Sequence, residues 1–416
     1  MISAVSRLLQ LNGNRFIFDS TDMRLIQQKI FILLLCFSSA KFVFANNDTT
    51  LSPVRIAVLA PLYLDSAFNG YEYNLSNTKI PQFFLEGLEF YNGVKMAIDS
   101  LQKENANIEV WIYDTHKRGQ SIQQLLSQMQ PLNFSLIIAS ISSLNEQKYV
   151  SDFSGKNSIP VISETYPTNA YLSYNPFFVM VNPTWRTHIN AIYHYLDSNY
   201  HGQKIIYFTK SGSLEDAISK EFATLNKNQN LKFSNIILND NFSANDVLKH
   251  LDSTKKNIIL CGTLNENFGR SLIKTLNDTG TTYHSIVMGM PTWSGLSETT
   301  GSAADKIQIL ISTCYDYLRD STGALYNISE KYRTNFFARP SDMVFKGFES
   351  MYHFTKLLLR YPDNLINNIS DTSYTVCSTY NFQPVRLTKT SFIPDYLENK
   401  KIYFIKIVNG EIQSIQ

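Results

Sequence analysis

The chain has 416 residues, with 37 Lys and Arg against 35 Asp and Glu, a formal net charge of +2 at pH 7. Hydrophobic residues make up 44% and charged residues 17%, a balance that excludes a disordered chain or a coiled coil. Near-neutral charge supplies no basic field for DNA or RNA, so no nucleic-acid partner is expected. The length fits two domains or one large one, with ample core.

The first informative stretch is N-terminal. Arg24 and Lys29 precede an apolar run over 30–37, small residues follow at 38–40, and Val43-Phe44-Ala45 has the small-residue spacing of a processing site. Residues 1–45 are therefore expected to be a signal peptide, with Met23 as an alternative start, and the protein to be exported to the periplasm or cell envelope. The apolar run is shorter than the ~20 residues a bilayer span needs. A buried core helix is the plainer alternative. Cys36 lies inside the run behind Leu35, a poor fit to a lipoprotein signal. Cys261, Cys314 and Cys377 have no metal-type spacing and read as small buried apolar residues, with one disulfide left open.

Beyond Asn46, short apolar strands alternate with amphipathic helices. Val54–Ala60 is a strand between Pro53 and Pro61, and apolar residues at helical spacing predict a helix over Phe84–Leu101. Strands follow at 108–113, 135–139 and 160–163, separated by helices at 122–129 and near 145–153. The pattern restarts at Phe177–Val181. Helices are expected at 187–198, 214–225 and 266–276, among strands at 204–208, 233–238, 257–261 and 285–289. A strand at 307–312, a long helix at 341–359 and a terminal hairpin around Asn409-Gly410 complete the reading. Alternation of this kind implies crossovers and mostly parallel sheets.

Chemistry is sparse. No phosphate-binding glycine loop, no Gly-x-Ser-x-Gly turn and no His-Glu-x-x-His occurs. The two Ser-x-x-Lys matches, at Ser253 and Ser271, lack their companion motifs. Asp65 and Asp114 follow strands, where open α/β sheets place ligands, but turn capping accounts for both. The expectation is a protein that is not an enzyme, with no metal and no cofactor. Candidate contacts are instead polar residues after strands. Ser142 and Ser143 open a helix, whose free N–H groups suit an anionic group, although capping alone explains a serine there. Ser163 and Thr165 sit likewise after Pro160-Val-Ile, and Thr292 and Trp293 follow a later strand.

Taken in order, these segments resemble the type I periplasmic solute-binding family of branched-chain amino acids and amides. The resemblance rests on Ile56-Ala-Val-Leu-Ala-Pro61, Glu86-Gly87, Gly93-Val-Lys-Met-Ala-Ile98, Ile112-Tyr-Asp-Thr115 and Ile137-Ile-Ala-Ser-Ile-Ser-Ser143. It continues through Ile159-Pro-Val-Ile-Ser163, Asn175-Pro-Phe-Phe178, Val287-Met-Gly289 and Gly347-Phe-Glu-Ser-Met351, covering nearly all of 54–416. It implies an α/β fold of two lobes, each a mostly parallel sheet flanked by helices, joined by three crossovers around a ligand cleft. Lobe one would hold 53–181 and 313–366, and lobe two 184–305 and 375–416. Ser142, Ser143, Ser163 and Thr165 would hold a carboxylate, with Tyr63, Tyr207, Thr292 and Trp293 completing the site. The acid that lobe two of such proteins turns on a ligand's amino group has no counterpart in Gly289–Trp293.

The resemblance implies a binding protein that captures a small polar ligand, an amino acid or a relative, for an ABC-type permease. The alternative is a regulator or scaffold of the cell envelope, such as an activator of peptidoglycan synthesis, with an envelope protein as its partner. In either case the membrane is reached only through a partner.

Overall fold

The computed structural model describes residues 52–75, 80–316, 323–388 and 390–414; the expected signal peptide at 1–45 and the start at Met23 lie outside them. Strand β1 (Val54–Ala60) leads to α1 (Gln82–Lys103), β2 (Ile108–Asp114), α2 (Ile122–Met129) and β3 (Leu136–Ala139). Next come α3 (Leu144–Asn157), β4 (Val161–Ser163) and β5 (Phe178–Met180). Residues 181–184 carry the chain into α4 (Trp185–Tyr200), β6 (Lys204–Thr209), α5 (Ser213–Leu225), β7 (Lys232–Ile237) and α6 (Ala244–Leu248). That series ends with β8 (Asn257–Cys261), α7 (Glu266–Asp278), β9 (Ser285–Gly289) and β10 (Gln308–Thr313). After 314–316 follow α8 (Ala324–Phe336), α9 (Asp342–Arg360), β11 (Phe382–Val385) and β12 (Tyr396–Asn399). Residues 400–402 then lead to the hairpin β13 (Tyr403–Val408) and β14 (Glu411–Ser414).

Two seven-stranded sheets result. The first has the order β11–β12–β5–β4–β3–β1–β2 and the second β14–β13–β10–β9–β8–β6–β7. Strands β1–β5 pair in parallel, as do β6–β10, and antiparallel partners are added only at one edge of each sheet. Strand β1 shows why. Ile56 and Val58 face the α1/α9 layer while Ala57 and Leu59 face the α2/α3 layer, so both faces are buried and the sequence reads as an unbroken apolar run. Lobe two has its own core, built on Ile206, Phe208, Ile259, Leu272 and Ile309.

The chain therefore crosses between the lobes at 181–184, 314–316 and 400–402. One expected boundary is corrected: residues 382–399 belong to the first sheet, not to lobe two, because β12 pairs in parallel with β5 through Leu397 and Glu398. The terminal hairpin forms as expected, with Asn409 (φ 54°) and Gly410 (φ 73°) both left-handed in its two-residue turn. Among the described residues no disulfide forms: Cys261 and Cys314 are buried and Cys377 is partly buried. Among the described residues, no helix is long and apolar enough to cross a membrane.

Candidate functional site

Open parallel sheets bind ligands beyond the C-terminal ends of their strands, where the strand order reverses. In this molecule those ends meet around a cavity of about 210 Å³ beside the crossovers, lined by Pro167, Asn182, His188, Thr292, Tyr315 and Lys346 among others. Both lobes contribute to it. A larger cavity, about 540 Å³, lies at the opposite end of the first sheet, against residues preceding β3, β4 and β5 such as Ser135, Ile159 and Pro176. It has no strand C-termini and is the weaker candidate.

Buried carboxylates fix the walls. Tyr315 of the second crossover donates its hydroxyl to the Glu164 carbonyl oxygen (2.8 Å) and to Glu164 Oε2 (3.2 Å). Glu349 of α9 accepts from the backbone N–H groups of Cys377 (3.1 Å) and Ser378 (2.8 Å). Ser378 in turn accepts from the Asp316 N–H at 2.8 Å. Burial pushes both Glu164 and Glu349 up to about 7. His188 bonds Ser312 Oγ through Nδ1 at 3.0 Å, and burial lowers it to about 4, so the imidazole lining the cavity is neutral. Lys346 lies 4.6 Å over the Tyr315 ring.

The rim of lobe one is built by loops after β1, β2, β3 and β4. Asp114 organises two of them: its carboxylate accepts from the N–H groups of Leu62, Tyr63, Leu64 and His116 at 2.8–3.1 Å. Asp65 accepts from the Arg118 N–H at 3.1 Å, so both aspartates order loops, as their positions after strands suggested. Tyr63 is held left-handed (φ 53°), its ring 4.4 Å from that of His116 and 5.1 Å from Phe83. Burial, then the charges of Glu146, Glu86 and Asp114, raise its phenol.

The eight expected contacts divide. Tyr63, Ser142, Ser143 and Thr165 stand at the rim of lobe one, and Thr292 lines the cavity while donating to the Leu264 carbonyl at 3.2 Å. Ser143 caps α3 by accepting from the Glu146 N–H (3.2 Å), and Thr165 donates to the Ile141 carbonyl at 2.6 Å. Ser163 is buried one layer below, its hydroxyl without a hydrogen-bond partner. Tyr207 and Trp293 are corrected to the interior of lobe two. The Tyr207 ring packs on Gly262 and Phe222 and its hydroxyl meets Ser219 Oγ at 3.0 Å; burial raises that phenol to about 12. Trp293 is fully buried, seated on Gly269 and Gly289, where any larger side chain would overlap the indole.

Sequence reading missed Glu146, Glu164, Tyr315, Lys346 and Glu398. Glu146 was the most accessible of these, because a glutamate three residues after a serine N-cap is a helix-start signature. Glu164 stands between the expected contacts Ser163 and Thr165 and was passed over, while Tyr315, Lys346 and Glu398 come from segments distant in sequence that no local pattern marks.

No protein-family model matches this chain, and no curated protein matches its sequence. Solved structures do match in fold. A putative branched-chain amino acid ABC transporter protein from Rhodospirillum rubrum aligns over 87% of this chain and 100% of its own, with 12% identity and a TM-score of 0.65. A putative branched-chain amino acid ABC transporter protein from Silicibacter pomeroyi aligns over 86% and 94%, with 13% identity and a TM-score of 0.59. The ABC transporter substrate-binding protein of Desulfitobacterium hafniense, solved with Leu, aligns over 87% and 99%, with 10% identity and a TM-score of 0.58. The chain has the two-lobed type I periplasmic-binding fold.

Proposed function

We propose that this chain is a solute-binding protein that holds a small polar solute in the cavity between its lobes. The observation that carries this reading is the convergence of both sheets' strand ends on one cavity beside three short crossovers, the geometry that lets two lobes close by hinge motion. The polar lining supports it further: Asn182, Thr292, Ser294, Asp342 and Lys346 supply donors and acceptors among Pro and aromatic surfaces. Export to the periplasm and delivery to an ABC-type permease belong to the same reading, by analogy with proteins of like fold. No step of bond chemistry is needed for it.

The test is native mass spectrometry of the purified protein, followed by thermal shift across amino acids, amides, amines and sugars. A solute at a hundred times its dissociation constant adds about 2.7 kcal/mol, enough to move the melting point. A retained molecule, or saturable stabilisation that Thr292→Ala with Lys346→Ala abolishes, is the expected result. A clean apo mass with no response anywhere in the panel would overturn the reading and turn attention to an envelope protein partner.

A further inference from the structure

The start of α3 is a natural anion site: backbone N–H groups and the Ser142 and Ser143 hydroxyls face the lobe-one rim, and the helix dipole favours negative charge there. In this protein the site already has an occupant. Glu146 doubles back so that its Oε2 accepts the Ser142 N–H at 2.7 Å and the Ser142 hydroxyl at 3.0 Å. Its Oε1 lies 3.3 Å from His116 Nδ1, and His116 is also 3.1 Å from Thr115 Oγ1. The glutamate is buried, at 5% exposure. In an ordinary capping box the N3 glutamate accepts the N-cap residue's own N–H. Here it reaches one residue further, to Ser142 in the loop after β3, on the same strand-end edge of lobe one as Thr165.

We propose that Glu146 is a built-in occupant of the lobe-one anion site, so that the solute turns an uncharged or cationic group to lobe one and not a carboxylate or phosphate. This rests on the solute-binding reading above. The surroundings agree: the charges acting on the Tyr63 ring beside this site come from Glu146, Glu86 and Asp114, and the ring faces of Tyr63, His116 and Phe83 suit an apolar or cationic group. A second carboxylate brought against Glu146 costs several kcal/mol, at least about a hundredfold in affinity. Glu146 is thus a specificity-determining residue.

The experiment compares leucine with leucinamide, which differ at the carboxylate, alongside other acid and amide pairs, on the full chain. Acetate is titrated against chloride at equal ionic strength. Acetate is expected to stabilise Glu146→Ala saturably and leave the wild type unmoved, because it refills the vacated site. Wild type is expected to favour the amide of whichever pair it binds by at least about a hundredfold. Glu146→Ala should lose that preference. Glu146→Gln, which keeps the side chain's length without its charge, should gain at least about tenfold for the acid even if the alanine variant folds poorly. Acid binding to wild type as tight as amide binding would overturn the inference alone, with solute binding left standing. So would an acetate titration that leaves a folded Glu146→Ala unmoved. A wild type silent to every solute would remove both readings.

Discussion

Glu398, on the last strand of the lobe-one sheet, caps the first helix of lobe two: its Oε1 accepts the Thr184 N–H at 2.8 Å and the Thr184 hydroxyl at 2.9 Å. Thr187 adds a third donor at 2.9 Å, and Lys400 reaches the other carboxylate oxygen at 2.6 Å. The Asn399 side chain donates to the Val181 carbonyl at 3.3 Å, which ties the third crossover to the first. Cys314 Sγ lies 3.6 Å from Asn182 Oδ1, which brings the second crossover to the same knot. The hinge is thus a set of side-chain bonds across three segments and not merely three strands of free chain.

Removing that acceptor should be costly. Glu398→Ala leaves a helix N–H, two threonine hydroxyls and a lysine without their shared partner in a buried setting, and is expected to lose about 3–5 kcal/mol in urea unfolding. Glu398→Gln keeps an acceptor for Thr184 and should lose less. Equal losses would show that charge, and not the bonds, holds the hinge.

The pH dependence of stability should carry two opposing signs. Glu164 and Glu349 have folded values near 7 against an ordinary 4.5, so the folded state binds their protons more tightly. Their contribution is full below about 4.5 and is lost as pH rises through about 7. His188 and His353 fall to about 4 from 6.5, so theirs is present above about 6.5 and is lost as pH falls toward 4. Glu349→Gln should therefore remove a decline in stability between pH 5 and 8 of up to about 1.4 kcal/mol per pH unit. Unfolding free energies of variant and wild type at pH 5, 6.5 and 8 decide it, and parallel curves would mean that Glu349 ionises as an ordinary carboxylate.

Helices α1 and α9 meet through paired glycines. A methyl at Gly93 would overlap the Val344 carbonyl oxygen, and one at Gly347 the Phe90 carbonyl oxygen, backbone on both sides. Neither contact has a flexible side chain to give way. Gly93→Ala and Gly347→Ala should each destabilise by about 1–3 kcal/mol despite improved helix propensity, as overpacking does. A melting point at or above wild type would show that the helices can separate cheaply.

Thr292 and Trp293 are neighbours in sequence with opposite fates. Trp293→Ala empties a fully buried site and should cost about 3–5 kcal/mol. Thr292→Ala loses one hydrogen bond to a carbonyl, about 1 kcal/mol, and should act mainly on solute affinity. Denaturation and solute titration of the two variants separate the roles.

These cases also mark what was legible in the chain. Parallel strands buried on both faces announce themselves as apolar runs, and the predicted strands at 257–261 and 285–289 match β8 and β9 residue for residue. Gly93 and Gly347 could be read as motif positions, but their reason appears only when α1 and α9 meet. The region 382–399 misled because β11 and β12 are short and mixed in character, Phe-Gln-Pro-Val and Tyr-Leu-Glu-Asn. Glu398 looks like a surface residue in such a string, yet β12 inserts between β11 and β5 and buries it. Tyr207 failed for a related reason: a strand's end fixes position, while the alternation of its side chains decides which of them reach the cleft.

The last two pairs of strands close different sheets. Strands β11 and β12 finish lobe one, and β13 and β14 finish lobe two, although the strands that β12 and β13 extend, β5 and β10, are encoded well upstream. During synthesis, both lobes therefore wait with an open edge until residues 382–414 emerge, and a chain stopped short of Tyr396 has two incomplete sheets and no Glu398 to seat the hinge. Truncation before Phe382 should accordingly act on both lobes at once, and nascent chains should remain protease-sensitive in both lobes until residues 382–414 have emerged.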